Sequence, residues 1–521
     1  MNSLGRIGAI VRADFLLRFR RTSTVIVFLL LSAFAYVWIP SPATGRTLIQ
    51  INGHRAIYNS GALGMATASI GMIFVGLFGY YVISNAVRRD IVTRCGLVAA
   101  STPMRSSEYL LGKFCGNLAF LFTFMSGFML SSMAMQLVRG EAPLEPLVFV
   151  RQYLLLTPAA MILVSAVAVF FESTTWLSGK LGDVAYFFLF ISLIGLVAGN
   201  EVSGGRINWA RSLDFTGFGF MIHQMQQTLH TDSVSIGSSP FDPALVPIVF
   251  PGLSMTPDWI VPRLISLVLP LGLLPLAALV FHRFDPVRTG RSSGRAQRKW
   301  IGKLQSLAKP LSRRVVALLA IPARNHSLGA AIWLDGVLTF TLSPLTLFAF
   351  LGVSVAAIFA RADGLLPIVF ALLAIVIADV ATRDVRAGTT ASLYAISRLR
   401  ENFVWWKFGS TCVCSFLFCA VPLLASALHG GGRFLALCIG ILFVGASATA
   451  LGVLTANAKT FIVAFLSFWY LVVNDKGATP MLDFAGFYGS ATARTIALYG
   501  AMALGAVTLA HVVHRARLAR A

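Results

Sequence analysis

The chain has 521 residues, of which 57% are hydrophobic and 12% charged, with a formal net charge of +22 and a mean hydropathy of +0.79. Soluble domains carry about 25% charged residues, so this composition excludes a globular protein surrounded by water and requires lipid as the solvent. The basic residues gather in short segments beside apolar runs, which follows the positive-inside bias and speaks against a nucleic-acid partner.

The first stretch, Gly5–Arg21, sets Arg6, Arg12, Arg18, Arg20 and Arg21 among Ile7, Ile10, Val11, Phe15, Leu16 and Phe19. This pattern predicts an amphipathic helix on the membrane surface. A signal peptide shares the basic-then-apolar order, but the many later spans favour a retained helix. The apolar runs that follow are Val25–Ile39, Ala62–Val87, Tyr109–Leu137, Tyr153–Phe171, Val184–Ala198 and Trp259–Phe281. A basic stretch separates them from Val337–Ala360, Leu365–Val380, Phe403–Leu428, Phe434–Ala456, Phe461–Val473 and Thr495–Val513. At about 20 apolar residues per span, these runs predict about twelve transmembrane helices in an all-α integral membrane protein. Val184–Ala198 and Phe461–Val473 are short enough to be either broken or re-entrant.

Segments 1–21, 88–105, 282–324, 383–407 and 514–520 are strongly basic. With twelve helices they all fall on one side, which places both termini in the cytoplasm. Six cysteines, Cys95, Cys115, Cys412, Cys414, Cys419 and Cys438, then lie in spans or on the reducing side, and no disulfide is expected.

A weak internal repeat runs through the chain. Gly8 and Asp14 correspond to Gly329 and Asp335 at an offset of 321. Arg89-Asp90 and Lys113-Phe114 correspond to Arg383-Asp384 and Lys407-Phe408 at an offset of 294, and His282-Arg283 to His514-Arg515 at 232. The offset shrinks because the second half lacks most of two outside loops, near 40–61 and 200–258, and loops tolerate insertions that spans do not. The expected organisation is a first six-helix half (1–282), a basic cytoplasmic linker attracted to anionic lipid (283–325) and a second six-helix half (326–521). The halves would be parallel repeats, each preceded by an amphipathic interfacial helix.

The chain holds no His-Glu-x-x-His, no zinc-type Cys-x-x-Cys pair and no phosphate-cradling Gly-x-x-x-x-Gly-Lys-Ser/Thr loop. Any ATP must therefore be hydrolysed by another polypeptide. His223 and His230 lie seven apart in an outside amphipathic stretch, a conceivable metal pair without a third ligand.

The segment after the second run is the most informative. Arg88-Arg89-Asp90 leads through Gly96-Leu97-Val98-Ala99-Ala100-Ser101-Thr102-Pro103 to Glu108-Tyr109-Leu110-Leu111-Gly112-Lys113, and Phe284-Asp285-Pro286 follows the sixth run. This resembles the first cytoplasmic loop and sixth-helix ending of exporter-type (type-2) ATP-binding-cassette permeases, and the six-helix layout resembles them too. In that family the loop is a coupling helix docked on the ATPase. The resemblance implies coupling helices at Arg94–Met104 and Thr389–Arg398. It makes Arg89, Asp90, Arg94, Gly96, Thr102, Pro103, Arg105, Arg383, Asp384 and Arg398 the candidate coupling residues, with interfacial anchoring and local ion pairing as the alternative role of Arg89, Asp90, Arg383 and Asp384. Two departures stand out. Leu97 and Val98 occupy the place where the family often has a Glu, and the second copy reads Thr390 and Ser397 where the first has Gly96 and Pro103.

The function these features imply is a fused permease in a bacterial inner membrane. It would export a lipophilic or amphipathic substrate with two copies of a separate ATPase subunit carrying ATP and Mg, and an accessory or periplasmic subunit could join them. The chain itself would hold no cofactor, no metal and no catalytic residue. A twelve-helix, proton- or ion-driven secondary transporter is the alternative, disfavoured by the scarcity of buried carboxylates in the spans. The outside segment Asn200–Asp258 is either a cap over the exit or an exposed connection.

Overall fold

A computed structural model describes residues 2–20, 28–29, 32–33, 35–36, 38–174, 177, 179–202, 207–229, 234–282, 284, 327–342, 344–359, 362–429 and 431–520. The basic linker 283–325, apart from Phe284, His230 and part of the expected span Val25–Ile39 lie outside the described residues. The chain divides into two compact units, Met1–Ser293 and Gly294–Ala521.

Almost everything described is helical, as backbone groups in lipid must be satisfied within their own segment. Among the described residues, eight helices are long and apolar enough to cross a membrane: Ser60–Ile91, Ser106–Arg139, Pro146–Ser173, Leu181–Val202, Pro257–Val280, Gly432–Thr455, Ala458–Asp475 and Ala493–Ala519. A ninth arises if the bent pair Phe403–Phe418 and Ala420–Ala427 counts as one span, and three shorter apolar helices accompany them. The two segments that read as short are continuous helices of 22 and 18 residues. The break falls instead in the expected span Phe403–Leu428, which turns by 64° after Phe418. Pro422 explains it, since proline offers no N–H to the carbonyl of Phe418, four residues back, and its ring crowds that carbonyl. The run expected from Val337 is also divided: one helix continues to Leu342 and Pro344 opens the next, a position where its missing N–H costs nothing.

The leading helix Ser3–Phe19 inverts the usual amphipathic arrangement. Its buried residues are Asp14 and Arg18, whereas Leu4, Leu16, Leu17 and Phe19 are exposed. It lies along Ser106–Arg139, where Gly112 admits Ile10 and Gly116 faces Asp14; a Cβ on Gly112 would stand 2.9 Å from Ile10.

The two insertions peculiar to the first unit meet in a small antiparallel sheet of order β2-β1-β3. Strand β1 is Arg46–Ile51, β2 is His54–Arg55 and β3 is Val234–Pro240. Asn52 and Gly53 join β1 to β2 with positive φ at both positions, the tight hairpin turn that Asn-Gly favours. Arg46 pairs with Pro240 and Ile51 with Val234, with an irregularity between Thr47 and Ile49. The segment 250–254 is tied down by side-chain amides. Gln152 exchanges two hydrogen bonds with Leu253, its Oε1 accepting from Leu253 N at 2.8 Å and its Nε2 donating to Leu253 O at 3.2 Å. Gln224 does the same with Ser254, and Asn59 donates to Phe250 O. The described part of 200–258 is thus packed and bonded rather than a loose connection.

Candidate functional site

Each unit contains a cluster of charge where its leading helix meets a short helix, Ala86–Val92 in the first unit and Arg383–Ala387 in the second. In the first unit, Lys113 Nζ lies 2.9 Å from Asp14 Oδ1 and 2.7 Å from Asp90 Oδ2. One ammonium thereby ties the leading helix, the short helix Ala86–Val92 and the long helix Ser106–Arg139 together. Arg89 reaches Asp14 at 2.6 Å, Tyr109 Oη donates to Asp90 Oδ2 at 2.8 Å, and Arg18 donates to Asn117 Oδ1 at 2.6 Å and to Ile83 O at 3.3 Å. Burial opposes ionisation of Asp14, but the charges of Lys113, Arg18 and Arg89 prevail and hold its pKa below the ordinary carboxylate value.

The helix that carries Arg89 and Asp90 is itself held from outside. Glu172, near the end of Pro146–Ser173, accepts from the backbone N–H groups of Asn85, Ala86, Val87 and Arg88. Those N–H groups have no intrahelical partner, and a carboxylate there also meets the positive end of the helix dipole.

The second unit repeats the arrangement. Lys407 Nζ lies 3.1 Å from Asp335 Oδ2 and 2.7 Å from Asp384 Oδ2. Arg383 stands 3.7 Å from Asp335, and it also bonds Asp379 at 3.3 Å and Thr339 Oγ1 at 3.0 Å. Asp14, Lys113, Asp335 and Lys407 mark the repeat in the sequence, but only the fold brings them onto Arg89, Asp90, Arg383 and Asp384. We call each cluster a latch, because it joins a leading helix to a loop through one lysine.

Beyond each latch lies a short helix. In the first unit it is Cys95–Ser101, shorter than the expected Arg94–Met104. Arg94 starts it in the left-handed region at φ 61°. Gly96 is buried against Phe284, whose ring would stand 2.3 Å from a Cβ there. Phe284 belongs to a three-ring cluster with Tyr109 and Phe281, with centroids 5.2–5.6 Å apart. Leu97 is 44% and Val98 69% exposed, and Arg94, Thr102, Pro103 and Arg105 are exposed around them.

In the second unit, the expected helix Thr389–Arg398 is two short helices, Thr390–Tyr394 and Ser397–Glu401. Tyr394 packs in a three-ring cluster with Phe403 and His514 at 5.3–5.8 Å. His514 Nε2 donates to Arg400 O at 3.0 Å, while Arg398 is exposed. The candidate residues therefore fall into two sets: Arg89, Asp90, Arg383 and Asp384 in the latches, and Arg94, Thr102, Pro103, Arg105 and Arg398 on exposed surface.

Other sequence candidates resolve differently. His223 Nδ1 lies 3.4 Å from Glu201 Oε2, and Arg211 bonds the same carboxylate at 2.9 Å. His223 and Arg211 thus share one carboxylate beside Trp259, while His230 lies outside the described residues, among which no group of three or more potential metal ligands occurs. All six cysteines are free.

The fold and the latches define a helical integral membrane protein with a duplicated, buried ionic joint. No protein-family model, no curated protein and no solved structure matches the chain.

Proposed function

We propose that the chain is the fused permease of an ATP-binding-cassette exporter, in which each unit receives force at its short surface helix and passes it through the latch to its spans. The observation that supports this best is the pairing, in both units, of a short surface helix with a buried lysine bridging two carboxylates. Leu97 and Val98 present apolar side chains at an otherwise basic membrane face, where a protein groove would cover them. The two rings of Phe281 and Phe284 tie that helix to the end of the sixth expected span, so movement of one carries the other as a rigid piece. Two such faces call for two ATPase subunits. The membrane is a bacterial inner membrane with both termini in the cytoplasm, and the apolar span interior suits a lipophilic or amphipathic cargo.

The test is co-purification of the tagged chain in mild detergent, with mass spectrometry and an ATPase assay. Two ATPase copies per chain, lost in Leu97→Asp/Val98→Asp, are expected. A monodisperse chain without an ATPase that carries proton-gradient-driven flux in liposomes would replace this reading with the secondary transporter.

A further inference from the structure

The two latches share the lysine bridge and differ in everything around it. The repeat offsets place Thr339 where the first unit has Arg18, Asp379 where it has Asn85, Phe403 where it has Tyr109 and Thr411 where it has Asn117. Two of these exchanges remove a restraint. Tyr109 Oη donates to Asp90 Oδ2, but Phe403 has no hydroxyl, and Asp384 Oδ2 accepts no hydrogen bond of regular geometry although Lys407 Nζ stands 2.7 Å away. Arg18 ties the leading helix to Asn117 and Ile83 O, whereas Thr339 is too short to reach across and instead receives Arg383.

Asp379 adds competition. In the first unit Arg89 reaches Asp14 at 2.6 Å. In the second, Arg383 lies nearer Asp379, on its own segment, at 3.3 Å than Asp335, on the leading helix, at 3.7 Å.

We infer that the latches are unequal: the first holds its loop closed, and the second is the joint that opens, so that segment 383–402 is the compliant loop of the protein. Its use in transport rests on the permease reading; the inequality does not. The test is hydrogen–deuterium exchange on the full chain in lipid nanodiscs, comparing backbone amides in 86–104 and 383–402. A charge-assisted hydrogen bond present in one latch and absent from the other predicts about ten- to hundred-fold faster exchange in 383–402. Phe403→Tyr should slow the second loop, and Tyr109→Phe should hasten the first. Equal exchange in the two wild-type loops, or faster exchange in the first, overturns the inference. Loss of the asymmetry with an ATPase still recovered would remove only this inference, and asymmetry without any ATPase partner would remove only the permease reading.

Discussion

Replacing Lys113 with Met is the sharpest test of the latch. The ammonium is 4% exposed beside Asp14 at 3% and Asp90 at 17%, so its loss strands two carboxylates in a site that water barely reaches. Arg89 and Arg18 still face Asp14, while Asp90 keeps Tyr109 and a longer 3.7 Å contact with Arg89. Removing one partner of a buried ion pair costs about 3–5 kcal/mol. That corresponds to a rise of about two to nearly four orders of magnitude in the opening equilibrium of the loop. Hydrogen exchange of 86–104 in nanodiscs reads that opening directly. The cost comes from stranded charge rather than lost attraction, so Asp14→Asn/Asp90→Asn/Lys113→Met should recover much of the protection. Unchanged exchange in Lys113→Met would refute the reasoning, as would a triple variant no better protected than the single one.

The latch of the first unit should also resist acid: because the pKa of Asp14 is depressed in the folded protein, its contribution is present above the unfolded carboxylate value and is lost only as pH falls through the lower folded value. Exchange of 86–104 should therefore stay flat from pH 7 to about pH 5, after correction for intrinsic rates, and rise only below about pH 4. Gln152→Leu leaves the N–H and C=O of Leu253 without the partners they have at 2.8 and 3.2 Å, a cost of about 1–3 kcal/mol each, and limited proteolysis within 234–256 should accelerate. Gly61→Ala should do the same, since its Cβ would stand 2.4 Å from the backbone oxygen of Pro251. Pro422→Ala restores the N–H that the Phe418 carbonyl lacks, and spin-label distances across Phe403–His429 should lengthen as the 64° bend relaxes.

The all-helical, lipid-embedded character was legible from residue order. Membrane residence follows from scarce charge, because an unpaired ion or backbone dipole in hydrocarbon is costly wherever it lies. The position of most long helices follows from apolar run length, which the thickness of lipid imposes on the chain directly. The matching residues Asp14, Arg89-Asp90 and Lys113 and their counterparts stood out in the sequence, whereas the hairpin at Asn52-Gly53 and the glycine beneath Phe284 emerged only from the structure. What those charged residues do was not legible, since Asp14 and Lys113 are 99 positions apart and spacing carries no information about which cation a carboxylate meets. The bend after Phe418 needed the local contest between Pro422 and a carbonyl to be decided within an otherwise uniform apolar run. The pairing of β1 with β3 joined two insertions that look like independent loops, because strand partners are chosen by the packing beneath them. Only tertiary structure brought the leading helix, the loop and the helix Ser106–Arg139 to one lysine, for burial makes a charge seek whichever opposite charge the fold sets beside it.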